Sequence, residues 1–259
     1  MTKARSVALV CAGQVSRSGL VRLPALAEQL ALVKSTHLRQ ASRAANALRA
    51  GTAVSTYEQL AKAKTFLVSV PREETAQTIG ELAKARIKWR GKSVILCDST
   101  LDSDALEPLE TLGATPGSFL SIDGFQDRRF AIEGGTLALK AMLRLLKRGD
   151  VTTIEITRGL KAQFLSGLAL VNLLPVPLLA AALDCLREAG VPLYQAQSIV
   201  EVQLNRSMRG YFKAPRQTRE SLIHSIREIQ DPALAVLFRQ ILETAARFSA
   251  AKVKSAVVR

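Results

Sequence analysis

The sequence is poor in the side chains that most often ligate transition metals or move protons near neutral pH. Its 259 residues include two histidines, His37 and His224, and three cysteines, Cys11, Cys97 and Cys185. The cysteines are odd in number and far apart, and none belongs to a Cys-x-x-Cys pair. This usage argues against a disulfide framework and a structural zinc site, and it fits a reducing, cytoplasmic setting. No His, Cys or carboxylate cluster has ligand spacing, so no metal is expected. Aromatic residues make up 5% of the chain, too few to interleave with basic residues as a platform for single strands. There is no internal repeat, no low-complexity tract and no intact Gly-x-Gly-x-x-Gly fingerprint.

What is abundant is positive charge. The formal net charge is +14, with a sequence pI of about 10.2. Such a balance suits a nucleic acid, a membrane surface or an anionic small ligand. The bases are spread along the chain, densest at Lys84, Arg86, Lys88, Arg90 and Lys92, with a smaller group at Arg144, Lys147 and Arg148. Without interleaved aromatics, a small anionic ligand is favoured and no nucleic-acid partner is expected. The apolar run Val7–Cys11 is too short for a signal core and has no good cleavage site after it, so it reads as a buried strand. Residues 162–183 carry no charge and are long enough to span a bilayer. Gln163, Asn172, Pro175 and Pro177 interrupt them. A fully buried helix at a domain or dimer core explains the run as well as a membrane span, and no membrane partner is expected.

The first half alternates short apolar runs with helical patterns. Strands are predicted at 7–11, 30–34, 53–55, 65–70, 93–97, 118–122, 130–133 and 152–156, and helices at 18–29, 37–50, 57–63, 72–86, 103–112 and 137–147. Gly51 and Gly113 stand where helix C-termini are expected. This alternation is the signature of βαβ units on a parallel sheet, and runs that are apolar throughout fit strands covered on both faces. After about residue 158 the strand signals stop, and helices are predicted at 159–188, 192–212, 217–229 and 232–251, the last capped by Asp231 with Pro232 at its first position. The expected fold is therefore α/β: a Rossmann-type doubly wound sheet over residues 1–157, then an all-helical domain over 158–259.

In a Rossmann sheet the first strand–turn–helix holds the pyrophosphate. Here that turn is Cys11-Ala12-Gly13-Gln14-Val15-Ser16, which keeps only the middle glycine. Gly13, Gln14, Val15 and Ser16 are the candidate phosphate contacts, since backbone must approach the phosphates and hydroxyls near a helix N-terminus favour an anion. The second strand ends Lys34-Ser35-Thr36-His37-Leu38-Arg39, with Arg43 following, and no acid stands where NAD enzymes place one for the ribose hydroxyls. Ser35, Thr36, Arg39 and Arg43 form a candidate site for a 2′-phosphate, leaning to NADP over NAD, although a solvated basic helix face reads the same. Ser69, Val70 and Pro71 close the next strand, and Ser99 follows the one after. Both lie at the carboxyl edge where ligands of such sheets bind, and both are also ordinary turns.

The stretch from Val94 to Ser118, with Cys97-Asp98-Ser99-Thr100 and Gly113-Ala-Thr-Pro-Gly-Ser118, and the block Phe130-Ala-Ile-Glu-Gly134 resemble an uncharacterised Rossmann-like bacterial family. That family is related to pyrroline-5-carboxylate reductase, 6-phosphogluconate dehydrogenase and deazaflavin-dependent NADP oxidoreductases, and the resemblance spans residues 6–188. It implies an NADP-binding domain followed by a helical domain like the C-terminal one of 6-phosphogluconate dehydrogenase, a homodimer, and an active site between the domains. The chain is a degenerate member. The family has His-Cys-Ser-Gly where Cys97–Thr100 stand and Gly-Ser-x-His-Pro where Gly117–Ser121 stand, and a third family histidine falls near Phe164. A proton donor must come from elsewhere; Asp98, Ser99, Asp123 and Lys161 are the polar groups near those positions. Lys161, at the head of the long helix, is the candidate, as in related hydroxyacid dehydrogenases, and Asn172 is the candidate for hydrogen bonding to substrate or nicotinamide. The expected function is that of an NADP-dependent oxidoreductase on a small carbonyl, hydroxy or imine substrate. The alternative is a dinucleotide-binding or scaffold protein that has lost its catalytic residues.

Overall fold

A computed structural model describes residues 5–12, 19–97, 100–122, 128–147, 150–173 and 175–214, together with 236, 239 and 240. The chain divides into two compact units, residues 1–171 and 172–259.

The first unit is built on one eight-stranded sheet in the order β3-β2-β1-β4-β5-β6-β7-β8. The strands are β1 (Val7–Cys11), β2 (Leu30–Lys34), β3 (Thr52–Val54), β4 (Thr65–Ser69), β5 (Ser93–Cys97), β6 (Thr115–Ile122), β7 (Arg128–Gly134) and β8 (Val151–Glu155). Pairing is parallel from β3 through β6; β7 is antiparallel to β6 and parallel to β8. The sheet is thus mixed rather than wholly parallel.

Alternation of side chains across the strands explains why they are apolar throughout. Val7, Leu9 and Cys11 of β1 join one core, with Leu26 of α1 (Leu26–Gln29), Ala41 of α2 (Leu38–Leu48) and Leu145 of α5 (Thr136–Leu146). Ala8 and Val10 join the other core, with Ile79 and Leu82 of α3 (Arg72–Lys84) and Leu109 of α4 (Glu107–Glu110). A strand covered on both faces has no solvent side on which polar residues would repeat. Burying each large aliphatic side chain of this kind stabilises by roughly 1.5–3 kcal/mol.

The helix expected over 18–29 is instead a 3-10 helix, Gly19–Arg22, followed by the single turn α1. Leu23-Pro24 separates them, because proline has no N–H to donate and disfavours a helical residue before it. Helix α2 ends at Leu48, with Arg49 in the left-handed conformation at φ 50°. The segment expected as one helix from 103 to 112 is a 3-10 helix, Ser103–Leu106, running into α4.

Beyond β8 the described chain is helical: α6 (Lys161–Asn172), α7 (Pro175–Glu188) and α8 (Leu193–Lys213). Pro175 opens α7, so the helix expected over 159–188 is two. Within the second unit α7 packs on α8 through a turn closed by Gly190 at φ 84°. The stretch Lys161–Glu188 is long and apolar enough to cross a bilayer, and its apolar part is not buried within the single chain. Helices expected over 217–229 and 232–251, and the cap Asp231-Pro232, fall almost wholly outside the described residues.

Candidate functional site

The strand order reverses between β1 and β4: the chain leaves β1 toward β2 and β3, then returns to the other side as β4. In an open α/β sheet such a reversal leaves a crevice outside the carboxyl ends of the two strands. Cys11 and Ser69 are register partners at those ends, and the Ala12 N–H donates to the Ser69 carbonyl at 3.3 Å. The structure therefore brings Ser69, Val70 and Pro71 opposite the residue that enters the candidate phosphate turn. Pro71 precedes α3, and its carbonyl accepts from Thr75 Oγ1 at 3.0 Å. Arg72 Nη1 donates to Thr100 Oγ1 at 3.3 Å, tying this turn to the segment that follows β5. Gly13, Gln14, Val15, Ser16 and Ser99 lie outside the described residues, as do Asp98 and Asp123. From residue 19 onward the β1–β2 connection offers only a 3-10 helix and one turn of α-helix, so the long helix that starts at this edge is α3, after Pro71.

The end of β2 lies next to the crevice. Ser35 is buried, and its hydroxyl donates to Gln40 Oε1 at 3.3 Å. Thr36, Arg39 and Arg43 are exposed, and the two arginines lie one turn apart on α2, whose first turn carries no acid. Among the described residues neither arginine makes a salt bridge. Two exposed guanidinium groups and the exposed Thr36 hydroxyl, with no acid among residues 34–43, fit an adenosine 2′-phosphate in charge and donor type.

Lys34, one residue earlier, escaped the sequence reading. It is buried, donates to the Ser35 carbonyl, and stands 4.8 Å from the Tyr57 ring centroid. Burial pushes its ammonium below the ordinary range, against the opposing pull of Glu81 and Cys11. Tyr57 donates to Glu81 Oε2 at 2.9 Å, and burial raises its hydroxyl pKa. Burial also pushes the Cys11 thiol up to about 11, despite its hydrogen bond to Ser35 and the nearby Lys34 charge. Cys11 is therefore a neutral thiol at physiological pH and no nucleophile.

A buried polar network stands behind the segment after β5. Glu133 of β7 accepts from the Ser103 N–H at 2.6 Å, from the Ser103 hydroxyl at 2.8 Å and from Ser118 Oγ at 2.5 Å. Lys161 Nζ donates to Ser118 Oγ at 2.8 Å and to the Leu101 carbonyl at 3.0 Å. Ser103, Ser118, Glu133 and Lys161 are each 1% exposed or less. Residues 101 and 103 are thus held from two sides, by a cation from α6 and a carboxylate from β7. The close approach of β6 and β7 makes this possible: Gly134 sits at φ 134°, and a Cβ there would come within 2.5 Å of the Gly117 Cα and the Pro116 carbonyl oxygen. Outside the network, Arg158 donates to Asp104 at 2.9 Å and bidentately to Glu110 at 2.8 and 2.6 Å, fastening the chain between β8 and α6. Glu110 and Asp104 keep its guanidinium firmly charged.

Asn172 closes α6 and is exposed. It is the first residue of the second unit, whereas Lys161 belongs to the first. Among the described residues no group of His, Cys, Asp or Glu is arranged to hold a metal.

No family model matches the sequence, and no curated protein matches it either. Solved structures do match. A Bacteroides fragilis protein, provisionally assigned as an NADP oxidoreductase, superposes with a TM-score of 0.69 at 12% identity, over 94% of this chain and 98% of its own. An imine reductase from Aspergillus terreus, in complex with NADPH4 and dibenz[c,e]azepine, gives 0.63 at 14%, over 95% of each chain. An imine reductase from Myxococcus stipitatus, in complex with NADP+, gives 0.59 at 13%, over 93% of this chain and 94% of its own. At these identities the likeness establishes the fold. It is a Rossmann-type sheet domain followed by a helical C-terminal domain.

Proposed function

We propose that the protein is an NADP-dependent oxidoreductase acting on a small carbonyl, hydroxy or imine substrate, anionic ones included. The observation that carries this reading is the exposed pair Arg39 and Arg43 beside Ser35 and Thr36 at the end of β2, next to the strand-order reversal. The NADP oxidoreductase and imine reductases that share the fold support the choice of cofactor and of a C=O or C=N substrate.

Bound NADPH supplies the hydride. Arg39 and Arg43 bind the 2′-phosphate with the hydroxyls of Ser35 and Thr36, and Ser69, Val70 and Pro71 line the crevice. Gly13, Gln14, Val15 and Ser16 remain the candidate pyrophosphate contacts, and Ser99 a candidate lining residue. Lys161 is shielded from solvent and bonded to Leu101 and Ser118, so it acts first by positioning the segment after β5. Asn172 offers an exposed amide for hydrogen bonding to substrate.

The test is titration with NADPH and NADH of the wild-type protein and of Arg39→Ala/Arg43→Ala. Loss of the phosphate partners should weaken NADPH binding about tenfold or more and leave NADH unchanged. Equal affinities for both cofactors in both proteins would sink the reading. Gly13→Asp, which places a carboxylate at the pyrophosphate turn, should abolish binding of either. A second reading is favoured by the one-turn α1 and the enclosed Lys161: a dinucleotide-binding or scaffold protein without turnover. Tight NADPH binding with no turnover across cyclic imines and small keto acids would select it.

We also propose a cytoplasmic homodimer covered along the apolar stretch of α6 and α7, where Val171 is 72% and Val176 61% exposed. Val171→Asp/Val176→Asp should then give a monomer in light scattering. Partition of the wild type into lipid vesicles would refute this and favour a membrane span.

A further inference from the structure

We propose that the opposite, amino-terminal edge of the sheet holds a second small-ligand site, selective for a phosphate monoester with a compact apolar body. A cavity of about 450 Å³ lies there. That is within the range of small-molecule sites, roughly 300–1,000 Å³.

The cavity has two unlike walls. One is α5, where the half-buried Leu137 lies at the surface, Ala141 and Leu145 are buried beneath it, and the exposed Arg144 stands beside them. The other is the pair of segments that lead into β4 and β5, carrying Lys64, Arg90 and Lys92. Gly91, at φ 78°, permits the turn that sets Arg90 between Trp89 and Lys92, and the turn is closed by the Lys92 N–H on the Trp89 carbonyl at 2.9 Å.

Lys92 is already committed. Its ammonium donates to the Ala61 carbonyl at 2.7 Å and to that of Ala63, and stands 5.7 Å from the Phe66 ring centroid. Burial, followed by the neighbouring Lys64 charge, pushes it below the ordinary range. Lys64 and Arg90 are exposed, and the lining contains four cations and no carboxylate. Like charges brought together beside an apolar wall, with no internal anion, are stabilised by a dianion whose organic part covers that wall. A neutral apolar molecule leaves the cations unanswered, and a bare ion leaves the half-buried Leu137 wet.

This site is separate from the carboxyl-edge crevice. Val7, Thr65 and Ser93 open their strands and line the cavity, whereas Cys11 and Ser69 close theirs. Five-residue strands put about 13 Å between the two edges. The two sites can therefore fill together.

Isothermal titration calorimetry of the full-length protein with phenyl phosphate, inorganic phosphate and phenol tests this. Phenyl phosphate should bind at one site per chain, inorganic phosphate more weakly and phenol not measurably. Lys64→Ala/Arg90→Ala changes two exposed side chains and should raise the phenyl phosphate Kd about tenfold or more. Saturating NADPH should leave that Kd unchanged. Absence of phenyl phosphate binding, an unchanged Kd in the double variant, or displacement by NADPH would each overturn the proposal. So would a DNA duplex that binds through Lys64 and Arg90 where phenyl phosphate does not.

Discussion

Replacing Lys161 by methionine deletes an ammonium while keeping most of the side-chain volume. In the native protein that ammonium is 1% exposed and bonded to Ser118 Oγ and the Leu101 carbonyl. Its removal leaves the Leu101 carbonyl without this donor and Glu133 without a cation one hydroxyl away. Breaking a buried charge pair from one side typically costs about 3–5 kcal/mol. Trp89 is the single tryptophan, 2% exposed and 4.9 Å from the Phe66 ring, so its fluorescence reports unfolding of the sheet unit. At a urea sensitivity of about 2–3 kcal/mol per molar, the midpoint should fall by about 1–2 M. Lys161→Met/Glu133→Gln should recover part of that loss, because the amide still accepts from Ser103 and no longer carries charge. The two substitutions should couple by about 1–3 kcal/mol. A midpoint shift below about 0.3 M, or strictly additive effects, would refute a linked buried pair and mark Lys161 as an ordinary helix-start lysine.

The native Cys11 thiol, pushed up to about 11 from an ordinary value of 9.0, holds its proton where the unfolded chain releases it. Stability should therefore fall by about 2–3 kcal/mol as pH rises from 9 to 11. The loss of urea midpoint between pH 8 and 10.5 should disappear in Cys11→Ala; Lys34 contributes the opposite slope, steeper in the variant because the Cys11 charge no longer opposes its shift, which widens the difference between the two proteins. Gly134→Ala must place a Cβ against the neighbouring strand at a positive φ, and its Trp89-monitored melting temperature should drop by several degrees. Arg158→Ala breaks a bidentate pair, but Arg158 and Glu110 are each 37% exposed and Asp104 56%. Solvent screening should hold its cost to about 1 kcal/mol or less in the same melt.

Some of this protein is written locally and some is not. The runs Val7–Cys11, Thr65–Ser69 and Ser93–Cys97 declare themselves as strands because burial on both faces demands apolar residues without alternation. The basic, acid-free end of β2 is equally plain, since its residues are neighbours in sequence. Pro24 stands inside the helix expected over 18–29, and the structure breaks there. The reversed direction of β7 has no local signature, because a strand pointing either way buries the same faces. Nor does an apolar run state what covers it, as the exposed stretch over α6 and α7 demonstrates. The sequence alone determined the alternating architecture, the change to helices after the sheet and the charge at the β2 end. Only the tertiary structure decided that Lys161, Ser118, Glu133 and Ser103 meet. They come from α6, β6, β7 and the start of a 3-10 helix, up to 58 positions apart. A buried charge needs its partners in space, and the order of strands in the sheet, which no local pattern encodes, brings them together.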